Sequence, residues 1–176
     1  MSTALEVINA APLTRAQLIE VTRRVAERVR NGEYEIHADA EQRWHVRMDC
    51  VGQGCVDDQV DIWLISWTKD QGTQLHDHGG SAGACTVVSG KLSEAVWSPG
   101  GLRENTRRAG DTVAFGETYV HDVRNIDEQT AVSVHAYSPP LHLMNYYDTE
   151  ADSLIQLASV WTDDPEEPAP PRGGAL

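Results

Sequence analysis

ACTVVSGKLSEAVW, residues 84–97, sets two short β-prone runs on either side of Ser89-Gly90-Lys91. Two such runs joined by a tight turn pair antiparallel, whereas a parallel pair needs a crossover of about a dozen residues or more. The same rhythm continues outward. RWHVRM (43–48), VDIWLISW (60–67), DTVAF (111–115), TYVHDV (118–123) and AVSVHAY (131–137) are short, rich in Val, Ile, Trp and Thr, and broken by glycine, asparagine or proline. Seven or more runs at this spacing predict an all-β sandwich or small barrel rather than a parallel α/β sheet. A barrel of this size can hold one small ligand among inward side chains that alternate along every strand.

Only the start of the chain reads differently. TRAQLIEVTRRVAERVR offers Thr14 as an N-cap with Gln17 three residues on, and Leu18, Val21, Val25 and Val29 recur at helical spacing until Asn31-Gly32. One amphipathic helix is predicted, lying across something apolar. A chain of 176 residues suffices for one well-buried core. Residues 1–162 are therefore expected to form a single domain. The segment DDPEEPAPPRGGAL, 163–176, combines prolines with like charges and is expected to be a disordered, solvated tail.

Composition excludes several partners. A net charge of −13 repels a phosphate backbone, so nucleic acid is not expected as a partner. The longest apolar run, Ile62–Ile65 with Trp67 beyond, is far short of a membrane span, and a cytoplasmic protein is expected. Cys50, Cys55 and Cys85 are an odd count without paired spacing, which argues for reduced thiols rather than disulfides or structural zinc.

The chemistry concentrates in two places. In HDHGGSAGA (76–84), His76 and His78 are two apart, so on a strand both leave the same face while Asp77 leaves the other. A third imidazole must come from another strand, and His121 in YVHDVRN is the best candidate. Three neutral imidazoles suit zinc, copper, iron or nickel, and the ligand set alone does not choose among them. In VSVHAYSPP (132–140), Ser133, His135 and Tyr137 share one face of one strand. Buried together they must hydrogen-bond one another or a ligand. The plainer alternative is a packing network without catalytic role. His37, His45 and His142 have no assignable partner and read as surface or packing residues. Met144 or Tyr146 of LHLMNYYD (141–148) could lie across a pocket mouth.

The order of HDHGGSAGA, VSGKL, VHDVRN and VSVHAYSPP resembles the cupin jelly-roll barrel, and within it the bacterial cysteine dioxygenases, over roughly residues 40–140. The resemblance implies one mononuclear Fe(II) held by His76, His78 and His121. The common cupin motif adds a glutamate ligand after the His-x-His pair, where this chain has Ser81, Ala82 and Gly83. Its absence resembles the thiol dioxygenases, in which three neutral ligands leave the negative charge to the substrate thiolate. The family's triad falls on Ser133, His135 and Tyr137, with the phenol hydrogen-bonding substrate or oxygen and the other two orienting it. The mammalian members cross-link that tyrosine to a cysteine whose position is Gly83 here, so no thioether is implied, and Cys85 does not inherit it.

The family's carboxylate-binding arginine aligns with Arg47, with Arg43 as the alternative because CVGQGCVDD blurs the register. A guanidinium grips a carboxylate through two parallel hydrogen bonds. Arginine rather than glutamine at this place implies L-cysteine over 3-mercaptopropionate. The expected activity is therefore conversion of L-cysteine and O2 to cysteine sulfinic acid, as in cysteine catabolism, by a cytoplasmic monomer. A dioxygenase of 3-mercaptopropionate or another small thiol, and a non-catalytic cupin binding or sensor module, are the alternatives.

Overall fold

The protein is described by a computed structural model covering residues 11–50 and 58–171. Cys55 lies outside the described residues. In chain order the elements are α1 (Arg15–Arg30), β1 (His45–Met48), β2 (Asp61–Trp67), β3 (His76–Asp77), β4 (Ala82–Ser89), β5 (Lys91–Ser98), β6 (Gly101–Arg108), β7 (Thr112–Phe115), β8 (His121–Arg124), β9 (Ala131–Ser138), β10 (Leu143–Glu150) and β11 (Ser153–Trp161). Every strand pairing among them is antiparallel. The strands form a five-stranded sheet, β1-β2-β9-β4-β7, and a six-stranded sheet, β11-β10-β3-β8-β5-β6. The expected cupin jelly roll with a short N-terminal helix is what the chain builds.

The helix forms where its cap and its apolar spacing agree. Thr14 and Gln17 make a reciprocal capping box, with Thr14 N–H donating to Gln17 Oε1 at 2.8 Å and Gln17 N–H donating to Thr14 Oγ1 at 3.3 Å. Leu18, Val21, Val25 and Val29 then pack on the outer face of the five-stranded sheet, over β4 and β9, in one cluster with Ala84, Val88, Val134 and Ala136 that extends to Ile62 and Leu64. Each fully buried side chain of this kind contributes roughly 1.5–3 kcal/mol. The opposite face of the same strands carries Trp63, Ile65 and Trp67 into a second cluster with Phe115, Tyr137 and Met144. That second cluster is the barrel interior.

Strands β6, β10 and β11 are absent from the pattern in the sequence. The first and last are edge strands with mostly exposed side chains, so burial imposes no apolar alternation on them. Among the described residues no helix is long and apolar enough to cross a membrane.

The C-terminal segment corrects one expectation. Over its described part, Asp163–Pro171, it is no solvated tail, because its charges and backbone find partners on the barrel. Glu166 pairs with Arg43, His45 Nε2 lies 3.1 Å from Asp164, Tyr146 donates its hydroxyl to the Glu167 carbonyl, and Ala169 N–H donates to Gln74 Oε1 at 2.8 Å. Proline and acid content predicted no core of its own for the segment; polar docking holds it, with Ala169 packed against the interior cluster of the barrel.

Candidate metal centre

Strand register brings the three histidines together. The short strand β3 sits between β10 and β8, with His76 directly opposite His121 on one side and Tyr146 on the other. The His76 and His121 ring centroids are 4.9 Å apart, and His78 lies 4.9 Å from the former and 5.3 Å from the latter. One nitrogen from each ring falls within 4.8 Å of the others, and all three residues are buried. No other such group of metal-capable side chains occurs among the described residues. Gly79 follows at φ +56°, where a Cβ would meet the Leu143 backbone oxygen at 2.5 Å, so the turn leaving His78 has room only for glycine.

The donor set suits a soft-to-borderline divalent metal. Burial, and then the neighbouring His121, drop the His76 pKa to about 3, and burial holds His78 well below its ordinary value. Both rings are therefore neutral at physiological pH, as metal ligation requires. His76 Nδ1 lies 2.6 Å from the Gln74 carbonyl and His121 Nδ1 lies 2.9 Å from Glu94 Oε1. Each Nδ1–H is thus committed as a donor, leaving Nε2 as the free ligand atom. The residues present fit a metal with open positions, and among the described residues no carboxylate or thiolate joins the group.

Facing them from the other sheet, β9 carries a continuous polar chain. Trp67 Nε1–H donates to Ser133 Oγ at 2.8 Å, Ser133 Oγ lies 2.8 Å from His135 Nε2, and His135 Nδ1 lies 3.4 Å from the Tyr137 hydroxyl. With Trp67 donating, the serine proton is available to Nε2, which puts Nδ1–H toward the phenol oxygen and leaves the phenol proton for another acceptor. The Tyr137 ring stands 4.6 Å from that of His78. Burial, reinforced by Cys85, raises the Tyr137 pKa above its ordinary value, so the phenol is a donor at neutral pH.

The cysteine dioxygenase type I profile matches residues 13–150. The chain belongs to this family. Relatives named cysteine dioxygenase type 1 from Rattus norvegicus and Homo sapiens are each 25% identical over 126 residues, covering 66% of this chain and 62% of theirs. One from Danio rerio is 26% identical over 101 residues, covering 51% of this chain and 50% of its own. The chain thus spans less than two thirds of the length of these relatives. Among solved structures, one of a Thermus thermophilus protein superposes with TM-score 0.50 at 16% identity, covering 59% of this chain and 90% of that one, a likeness of fold alone. An oxalate oxidase in complex with the substrate analogue glycolate superposes with TM-score 0.48 at 16% identity, over 57% of this chain and 53% of that one.

Within this member of the cysteine dioxygenase type I family, Gly83 sits opposite Tyr137. A Cβ at Gly83 would lie 2.4 Å from the Phe115 ring, so an aromatic side chain occupies the space that a cross-linking cysteine would need. Cys85, two residues further along β4, faces His135 instead, with Sγ 3.5 Å from Nε2, and burial raises its thiol pKa.

The arginines part company. Arg47 does not reach the histidines: it lies on edge strand β1 opposite Trp63, is about half exposed at 48%, and pairs with Asp61, whose other oxygen accepts Leu141 N–H at 2.8 Å. Arg43, the alternative, is the guanidinium at the cavity. It lies over the Trp67 ring at 4.5 Å, donates to the Gly72 carbonyl at 2.6 Å, and lines a cavity of about 320 Å³ with His76, Met144 and Tyr146. Alternation puts residues 43, 45 and 47 on one face, but the register of β1 on β2 decides which end meets the cavity.

Sequence reasoning missed Glu94. Its carboxylate is buried on β5, receives Arg107 Nε–H at 2.7 Å and the Tyr119 hydroxyl at 3.0 Å, and meets His121. Burial opposes its ionisation, yet the hydrogen bonds and charges of His121 and Arg107 bring its pKa down to about 2. A lone acid inside the apolar run KLSEAVW was the available signal.

Proposed function

We propose that this protein is an Fe(II)-dependent thiol dioxygenase that converts L-cysteine and O2 to cysteine sulfinic acid, RSH + O2 → RSO2H. The observation that carries the reading is the buried group of three imidazoles, with no carboxylate among the described residues joining it, facing a protonated tyrosine. A metal carried by three neutral ligands keeps its full positive charge for an anionic substrate. Held by His76, His78 and His121, ferrous iron would supply a site for thiolate and dioxygen and the electron exchange between them.

The chain's own residues do the rest. Arg43, already desolvated over Trp67, would receive the substrate carboxylate and fix which way the thiol points. Tyr137 holds a phenol proton beside His78, in reach of a group carrying negative charge there, while His135 and Ser133 hold the ring in place. Phe115, Met144 and Tyr146 pack around the histidines and exclude water. Holding both reactants in one small enclosed space is the main rate contribution, since proximity and orientation alone can supply several kcal/mol.

The test is iron content of protein purified without added metal, followed by oxygen uptake with cysteine and mass analysis of sulfinate formed under labelled O2. Both labelled atoms in the product are expected. Iron-loaded protein that consumes no oxygen with cysteine, 3-mercaptopropionate or 2-aminoethanethiol would make the chain a binding module instead; uptake with 3-mercaptopropionate alone would move the substrate assignment.

A further inference from the structure

Glu166 occupies the place where a substrate carboxylate is needed. The Arg43 side chain is only 13% exposed and pairs with Glu166, whose own side chain is 7% exposed. Both line the cavity that His76 also lines, with Pro165, Glu167 and Pro168 beside Glu166. A carboxylate from the protein thus sits on the guanidinium assigned to the substrate. We infer that Glu166 is a specificity-determining residue: its carboxylate competes with the substrate carboxylate for Arg43, and the strap Asp163–Pro171 gives way when a carboxylate-bearing thiol binds. The inference rests on the reading of Arg43 as the carboxylate clamp.

The attachment of the strap permits the exchange. Among the described residues it adds no strand to either sheet. The polar contacts that hold it to the barrel are the Arg43–Glu166 pair, the Tyr146 hydroxyl on the Glu167 carbonyl, Gln74 Oε1 on Ala169 N–H, and His45 beside Asp164, with Ala169 also packed against the edge of the interior apolar cluster. A segment held by few contacts opens locally at a small fraction of the global unfolding free energy. Exchange also spares Arg43 from rehydration. One carboxylate replaces another on a guanidinium already stacked on Trp67 and bonded to the Gly72 carbonyl, so the desolvation cost that burdens new buried ion pairs does not recur. A thiol without a carboxylate has nothing to exchange and leaves the pair intact.

The coupling is reciprocal and measurable. In the iron-loaded full chain under anaerobic conditions, Glu166→Gln is expected to tighten cysteine binding by about tenfold, within the roughly 5- to 150-fold range typical of coupled sites, and to leave 2-aminoethanethiol within about twofold. In the unsubstituted protein, saturating cysteine is expected to speed hydrogen exchange at the amides of Glu166, Glu167 and Ala169, whereas 2-aminoethanethiol does not. That exchange measurement stands even if the variant misfolds. Cysteine affinity unchanged or weakened by Glu166→Gln, or strap exchange unaltered by cysteine, overturns the inference. Arg43→Gln separates the two readings: selective weakening of cysteine over 2-aminoethanethiol keeps the clamp even when the competition fails, and equal effects on both thiols remove the clamp and the inference with it.

Discussion

The two faces of β9 differ in what they tolerate. Outward, Val132, Val134 and Ala136 lie under α1 in an apolar layer, where shape and volume decide everything. Inward, Ser133, His135 and Tyr137 are as thoroughly buried, and each has a hydrogen-bond partner. The outer face can lose atoms and remain an apolar layer with a defect; the inner face cannot lose a partner without orphaning a polar group in low dielectric. On the proposed function, one strand carries stability on one face and chemistry on the other, and the two are expected to respond separately to substitution.

The largest expected effect tests the inner face at the histidines. His76→Ala should reduce iron content and oxygen uptake to background, read by metal analysis and an oxygen electrode, while the thermal transition survives because the outer face is untouched. Next, Leu18→Ala on the helix should cost about 2–5 kcal/mol in denaturant unfolding and leave the iron content of the folded fraction unchanged. Loss of iron in proportion to stability would show that the two faces are not separable. Glu94→Gln should weaken iron binding by about 10- to 100-fold, measured by chelator competition, because the carboxylate that orients His121 becomes an amide that can offer its N–H₂ where an acceptor is needed.

The smallest effect is the share of His135 in the pH response of the metal-free protein. Burial, then His121, hold the His135 pKa near 3, while in the unfolded chain a histidine takes a proton at about 6.5. Between those values the unfolded state binds the extra proton, so stability should fall as pH drops, by about 1.4 kcal/mol per pH unit for this residue. Urea midpoints at pH 7 and pH 5 check it. A His135→Phe variant should show a shallower decline.

The parts legible in the sequence were those set by short-range periodicity with burial behind it. The Thr14 cap and the spacing of Leu18 to Val29 predicted a helix that forms over Arg15–Arg30. Period two put His76 with His78, and Ser133 with His135 and Tyr137, on common faces, and the structure places them so. Strands β6 and β11 escaped because exposed edges carry no apolar rhythm. Arg47 was the expected carboxylate partner on the strength of resemblance, and the connection from β1 to β2 is where that alignment was weakest; the guanidinium at the cavity is Arg43.

By itself, then, the chain determined the all-β class, the helix, and which polar groups travel together, because hydrophobic alternation and capping act within a few residues. Only tertiary structure decided that His121 stands opposite His76, that Glu94 supports it, that Arg43 rather than Arg47 faces the cavity, and that Glu166 closes over it. Those pairings join residues far apart in sequence, and their register depends on how two sheets fold onto one interior, which no local pattern encodes.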